Sequence, residues 1–283
     1  LMMNCYRKAC RIIDEFKPDI AIGFGGYVSA PVMLAAHHKH VATMIHEQNS
    51  IVGVSNKMVA KYMDAIVICY EKCFEEFGRE KTRLLGNPRA TNAVHAKFDR
   101  DYFLSLGLSL HKPLILVVMG SLGSTSVNAI MKDALPAVSE RYQILFVTGK
   151  NNYEEMRKQI HAPHVKVVDY VKQLDIMAHV DLIVCRAGAT TAAEITALGT
   201  PSILVPSPYV AHNHQFYNAS VLVDHKAAVM LEEKDLNAEA LSTAIDRIMS
   251  DDLLRASMHS ASLALGKPNA SEDILNWCDE MKR

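Results

Sequence analysis

The chain has 283 residues, 49% hydrophobic and 22% charged, a composition that suits one large or two ordinary globular domains and excludes disorder. A formal net charge of −1 gives no global field favouring nucleic acid or membrane as partner. Residues 1–93 carry 12 Lys/Arg against 9 Asp/Glu and the remainder 18 against 22, an asymmetry that suits a solvated surface as well as a functional one.

The six cysteines Cys5, Cys10, Cys69, Cys73, Cys185 and Cys278 form no CxxC pair, so neither a zinc ribbon nor a thioredoxin-type site is supported. Their scatter is the pattern of a reducing compartment. No apolar stretch is long enough to span a bilayer, and the opening residues do not read as a signal peptide.

Leu1-Met2-Met3-Asn4 runs directly into helical periodicity through Phe16. A doubly wound α/β domain ordinarily opens with a strand and a tight turn, so a segment upstream of Leu1 is expected to carry them. On this helix Leu1, Met2, Met3 and Tyr6 sit beside Arg7, Lys8 and Arg11, with no acid before Asp14. That mix suits a face lying on a membrane surface as well as a core-facing stripe.

From Lys17 onward, short β-branched runs alternate with amphipathic stretches, the pattern of parallel sheets covered by helices. Strands are predicted at Asp19–Gly23, Val41–Ile45, Ala65–Cys69 and Thr82–Leu85, with helices at Val28–His38 and Val52–Met63 among the intervals. Gly86-Asn87-Pro88 breaks the series, and a polar stretch leads to Gly107–Pro113. A second series has strands at Leu114–Met119, Gln143–Val147, Val165–Val168, Asp181–Cys185, Ser202–Val205 and Ala228–Leu231. Its helices include Ser124–Val138, Thr190–Leu198 and Gln215–His225, and Asn237–Met249, Asp251–Ala264 and Ser271–Met281 close the chain.

A weak internal repeat lays Pro18–Gly26 over Val180–Gly188: each reads as strand, small-residue turn, helix start. Two such units imply two Rossmann-like domains. Ligands of open α/β sheets bind beyond the carboxyl ends of the strands, so facing domains would place a cleft between the two turns.

Five segments carry candidate chemistry. Gly23-Phe24-Gly25-Gly26-Tyr27-Val28-Ser29-Ala30-Pro31 is a glycine-rich turn into a helix, able to bring backbone close to a ligand or to serve as a plain turn. Val28 stands where a dinucleotide fingerprint wants a further Gly, which argues against NAD. His46-Glu47-Gln48-Asn49-Ser50 sets five consecutive polar side chains at a strand's end, more than a helix cap requires. Met119-Gly120-Ser121-Leu122-Gly123-Ser124 is a second strand-to-helix turn suited to a phosphate, without the GK[ST] ending of a triphosphatase.

In Cys185-Arg186-Ala187-Gly188-Ala189-Thr190-Thr191, with Glu194 one turn on, the helix start suits a diphosphate and the carboxylate suits ribose hydroxyls. The plainer account of Glu194 is complementarity to the helix dipole, and Arg186 either adds charge or pairs with a structural acid. Last, Pro206-Ser207-Pro208-Tyr209-Val210-Ala211-His212-Asn213-His214-Gln215 is a polar loop entering a helix. Its two histidines lack acidic or Cys partners at ligand spacing, so hydrogen bonding to a sugar by His214 and Gln215 suits them better than a metal.

In order and spacing these segments resemble the MurG family of GT-B glycosyltransferases from about Lys17 to Ala228. GFGGYVSAP is similar to its second glycine-rich loop, HEQNS to the motif after the next strand and MGSLGS to its third such loop. CRAGATTAAE resembles its nucleotide-binding helix start, and HNHQFYNA its sugar-contacting segment.

The resemblance implies two Rossmann-like domains with parallel sheets: an acceptor-side domain over 1–93, a UDP-sugar domain over 94–265, and a C-terminal helix over 266–283 packing back on the first. It implies inverting transfer of N-acetylglucosamine from its UDP donor, with no cofactor or obligatory metal, to the 4-hydroxyl of the muramoyl sugar of undecaprenyl-diphosphate-linked lipid I, giving lipid II. The partners implied are the cytoplasmic membrane surface and other cell-wall synthesis proteins, but no nucleic acid, and the location is peripheral on the cytoplasmic face of a bacterial membrane.

Residue by residue, the resemblance assigns Gly25, Gly26, Tyr27 and Asn49 to the acceptor. Backbone near Tyr170 would meet uracil, Glu194 the ribose, Ser121 with Ala189 and Thr190 the diphosphate, and Gln215 the sugar. Arg89, Arg186 and His214 join the donor set. The family's first glycine-rich loop and its base would lie upstream of Leu1, leaving His46 as the nearby substitute. Two further departures are Arg89 directly after Gly86-Asn87-Pro88 and His214 in place of one of a glutamine pair. The alternatives are a non-catalytic UDP-sugar-binding chain, a related glycolipid glycosyltransferase, and an epimerase acting on UDP-N-acetylglucosamine.

Overall fold

A computed structural model describes residues 2–120 and 123–282, Met2 by its backbone alone. The chain divides into two compact units, Leu1–Thr91 with Lys267–Arg283, and Asn92–Gly266.

The first unit opens with α1 (Met2–Phe16), β1 (Ile20–Gly23), α2 (Ser29–His38), β2 (Ala42–Glu47), α3 (Val54–Val59), β3 (Ala65–Ile68), α4 (Phe74–Phe77) and β4 (Thr82–Leu84). Its strands form a parallel sheet in the order β1-β2-β3-β4. Side chains of a strand alternate between faces, and a parallel sheet needs cover on both. Ile45, Ile66 and Ile68 accordingly pack with Ala30, Met33 and Val59, while their neighbours Met44, Ala65 and Val67 turn to the other face. On α1, Ala9 and Ile13 face Ala35 and Ala36 of α2, leaving Met3, Arg7, Lys8, Arg11, Ile12 and Phe16 exposed.

The helix expected over Val52–Met63 is shorter: α3 stops at Val59 and a 3₁₀ turn covers Ala60–Tyr62. Its start is displaced because the Gly53 amide donates to Glu47 Oε2 at 2.9 Å, holding Gly53 in extended backbone. The polar stretch after Pro88 also holds more than its composition indicates, namely α5 (Arg89–His95) and α6 (Arg100–Ser105). Asp99 caps α6, accepting from the Tyr102 amide at 2.9 Å.

The second unit continues through β5 (Leu114–Val118), α7 (Thr125–Val138), β6 (Gln143–Val147), α8 (Tyr153–Gln159), β7 (Val165–Val168), α9 (Leu174–Met177), β8 (Leu182–Cys185) and α10 (Ala189–Leu198). It ends with β9 (Ser202–Leu204), α11 (His214–Asp224), β10 (Ala228–Met230), α12 (Ala238–Met249) and α13 (Asp252–Leu265). Its six parallel strands run in the order β10-β9-β8-β5-β6-β7, the doubly wound Rossmann arrangement. Ile115, Val117, Val127, Met131, Ile144, Phe146, Leu241 and Ile245 build one continuous core. Asp181 ties strand starts together, accepting from the Leu114 amide at 2.8 Å, as Asp64 does from Thr43 at 2.9 Å in the first sheet.

The chain then returns to the first unit as α14 (Ala270–Met281). Ile274, Trp277 and Cys278 cover the face carrying Met44, Ala65 and Val67. The Arg83 guanidinium stacks 4.3 Å from the Trp277 ring and pairs with Glu280 at 2.8 Å.

Two consequences can be measured. Gly123 has φ +72°, and a Cβ there would collide with the Thr148 carbonyl oxygen. Gly123→Ala is expected to cost about 1–3 kcal/mol, read as a lower denaturant midpoint. His46 is buried and donates through Nε2 to the Gly86 carbonyl at 3.0 Å, and burial pushes its pKa below the ordinary value, the Gly86 bond and Glu47 opposing. The unfolded chain therefore binds this proton first as pH falls below roughly 6.5, and stability present above that pH is lost below it. Denaturation at pH 7, 6 and 5 is expected to show this loss, and His46→Gln, which keeps a donor for Gly86, to flatten it by at most about 1.4 kcal/mol per pH unit.

Candidate active site

In the second sheet β5 and β8 lie side by side, with Val118 paired to Cys185. The sheet grows from β5 through β6 to β7, and from β8 through β9 to β10 on the opposite side. The turns leaving β5 and β8 therefore diverge, and the crevice at this reversal is where such sheets hold ligands. Gly120 (φ +88°) and Gly188 border it, and a Cβ on either would meet nothing within 4 Å. Ser121, assigned to the diphosphate region, lies outside the described residues.

After β8, Gly188 stands in extended backbone as the N-cap of α10, and no side chain caps the helix. The first amides of α10, at Ala189 and Thr190, thus present the positive end of a ten-residue helix. Glu194 sits farther along α10, buried at 4% exposure. Its Oε2 accepts from Gln173 Nε2 at 3.1 Å. Gln173 belongs to the loop after β7 that also carries Tyr170, 66% exposed. The loop after β7 thus reaches α10 although β5 and β6 lie between their strands.

Gln215, in the first turn of α11, accepts from the Ser207 amide at 2.9 Å, and His214 Nδ1 lies 2.9 Å from the Ala211 carbonyl. Ahead of them His212 and Asn213 take φ of +54° and +51°. Buried Asn218 donates to the Ala187 carbonyl at 3.3 Å, joining α11 to the turn before α10. Among the described residues no three His, Cys, Asp or Glu side chains gather as metal ligands.

Arg186 makes the pairing with an acid that one of its two readings anticipates. Its guanidinium pairs with Glu233 at 2.7 Å, both side chains about nine-tenths buried, and donates to Ser124 Oγ at 3.0 Å and the Val205 carbonyl at 3.1 Å. It braces the turn after β5 against β8 and β9. Arg89 stands at the start of α5, its amide donating to Asn87 Oδ1 at 3.0 Å, and falls in the first unit.

In the first unit, adjacent β1 and β2 bring the acceptor candidates to one sheet edge. Gly25 and Gly26 take φ of +82° and +77°; a Cβ on Gly25 would touch Asn56 at 3.4 Å, and one on Gly26 would meet open space. Tyr27 is 86% exposed. At the end of β2, buried Glu47 accepts from the amides of Asn49 at 3.1 Å and Gly53 at 2.9 Å and from Asn56 Nδ2 at 2.9 Å. Glu47 shapes the loop that presents half-buried Asn49 and exposed Gln48.

His46, the substitute base considered above, is 2% exposed and its Nε2 donates to the Gly86 carbonyl at 3.0 Å. Gln173, Asn56 and Glu233 were not among the sequence candidates. Their partners lie 21, 9 and 47 residues away, and no local pattern announces them.

Comparison with known proteins accords with this geometry. Residues 114–274 match the glycosyltransferase family 28 C-terminal domain and residues 2–68 its N-terminal domain. The chain is 43% identical over 284 residues to the UDP-N-acetylglucosamine–N-acetylmuramyl-(pentapeptide) pyrophosphoryl-undecaprenol N-acetylglucosamine transferase of Limosilactobacillus reuteri subsp. reuteri, spanning 97% of this chain and 76% of that protein. The same enzyme of Bacillus subtilis is 39% identical over 98% of this chain and 78% of its own length. The crystal structure of MurG from Acinetobacter baumannii superimposes with a TM-score of 0.82 at 25% identity, over 99% of this chain and 78% of that one. With one family domain matched across more than half of its length and curated relatives matched almost throughout, the chain belongs to glycosyltransferase family 28.

Proposed function

We propose that this chain transfers N-acetylglucosamine from UDP-N-acetylglucosamine to the muramoyl sugar carried by undecaprenyl diphosphate, the reaction named for its Limosilactobacillus and Bacillus relatives. The observation that carries the donor half is the uncapped start of α10 at the sheet reversal, with Glu194 on the same helix. The Ala189 and Thr190 amides meet the diphosphate, Glu194 accepts the ribose hydroxyls, backbone near Tyr170 meets uracil, and Gln215 meets the sugar. The acceptor's 4-hydroxyl oxygen bonds to the sugar's C1 as the bond from C1 to the β-phosphate oxygen breaks, inverting that carbon. The hydroxyl proton passes to a base, and UDP leaves with the bond's electrons. Amides aimed at the diphosphate stabilise the charge that develops on it.

The acceptor half is assigned to Gly25, Gly26, Tyr27 and Asn49. The lipid tail of the acceptor calls for peripheral work at the cytoplasmic face of a bacterial membrane, and no helix among the described residues is long and apolar enough to cross one. Exposed Met3, Arg7, Lys8 and Arg11 on α1 support contact with an anionic lipid surface.

Two experiments test the halves separately. Calorimetry is expected to show UDP-N-acetylglucosamine binding weakened roughly 10- to 100-fold in Glu194→Ala, since hydrogen bonds to a charged acceptor contribute about 1.5–3 kcal/mol. An unchanged Kd would remove Glu194 from the ribose. Tyr27→Ala, at an exposed position, is expected to change stability by no more than about 0.5 kcal/mol. It should raise KM for the lipid-linked acceptor while leaving donor affinity intact, and equal loss on both substrates would contradict the assignment.

A further inference from the structure

Glu194 offers a buried carboxylate whose usefulness to a ribose depends on where its two oxygens point. A carboxylate accepts hydrogen bonds in its own plane at about four lone-pair positions, so rotation of the terminal torsion moves every one of them. That torsion is broad and two-fold in the absence of a partner. At Glu194 a partner is present: the Gln173 amide nitrogen donates to Oε2 at 3.1 Å and also contacts Met177 Sδ at 3.3 Å. Gln173 is half-buried and stands immediately before α9, whose Ile176 and Met177 are buried, so its backbone is anchored. The same loop carries Tyr170, three residues earlier.

From this juxtaposition we infer that Gln173 is a positioning residue for donor specificity: it fixes the plane of the Glu194 carboxylate so that the site distinguishes a ribonucleoside diphosphate from its 2′-deoxy counterpart. The inference rests on the ribose role proposed for Glu194. Gln173 need not touch the nucleotide. It limits the carboxylate to one orientation before the ligand arrives, and an acceptor already held in place loses less freedom on binding. The amide suits this part because it is neutral. A carboxylate in its place would repel Glu194, and the shorter Asn would not span the distance.

The test compares affinities for UDP and 2′-deoxy-UDP within each variant, using the full chain. A merely structural lesion weakens both ligands alike and leaves their ratio unmoved. Loss of a well-directed hydrogen bond to a charged acceptor removes on the order of tenfold or more.

The parent is expected to prefer UDP by about tenfold or more, and Glu194→Gln to bring the ratio near one. Gln173→Leu and Gln173→Asn are each expected to bring it near one as well. The Gln173→Leu/Glu194→Gln double variant should show no further fall, as two residues acting through one contact require. If Glu194→Gln abolishes the preference while both Gln173 variants keep it in full, the inference about Gln173 is overturned and the role of Glu194 stands. If the parent shows no preference, or Glu194→Gln retains it, the ribose reading fails first and the inference fails with it.

Discussion

β5 and β8 are hydrogen-bonded to each other from Ile115 to Val118, yet the chain departs from them toward opposite edges of the sheet. Adjacent parallel strands with diverging exits cannot both have their carboxyl ends covered by the same connection, so a crevice opens between the two turns. The geometry of both turns depends on this reversal. It leaves the Gly120 turn beside the Gly188 turn, and it leaves α10 starting at the crevice with amides that no side chain caps. The positive end of α10 is thus built from backbone amides, and the turn before it from small residues.

Buried polar groups hold these turns in place, and in the second unit their partners are remote in sequence. Arg186 is pinned by Glu233 and reaches Ser124, so the two turns flanking the reversal share one brace. Removing one member of such a pair leaves a buried charge uncompensated, which is far more damaging than the net worth of the pair. Asn218 fastens α11 to the same region through the Ala187 carbonyl. The first unit uses a carboxylate for the same purpose. Glu47 collects two backbone amides and the Asn56 side chain, and Asn56 in turn lies against Gly25. Asn56 of α3 thus lies between the loops after β1 and β2.

The four polar side chains of His46-Glu47-Gln48-Asn49 divide accordingly. His46 and Glu47 are buried and organise the unit; Gln48 is exposed and Asn49 half-buried. A strand's alternation does not predict that division, because both of the inward residues lie at the strand end where the chain begins to turn. Burial decides it: a polar group taken from water must find donors or acceptors inside, and Gly86, Gly53 and Asn56 supply them.

The alternation of β-branched runs with amphipathic stretches determined the two parallel sheets, because a strand buried on both faces admits few other compositions. The strand-turn-helix segments at Gly23–Ser29 and Cys185–Thr190 were legible for a similar reason: glycines at positive φ or in open turns leave a local signature that survives in any context. The short α5, α6, α8 and α9 were not legible, since helices of a few residues carry too little periodicity to stand out. Nor were the hydrogen-bond partners of Arg186, His46, Gln173 and Asn56. Each is delivered by a different element, and a hydrogen bond between residues 21 or 40 positions apart has no trace in local pattern. The sequence alone determined the two parallel sheets and the glycine-rich turns at their strand ends; the tertiary structure decided which polar side chains there are buried against partners and which stay exposed, because that depends on elements distant in the chain.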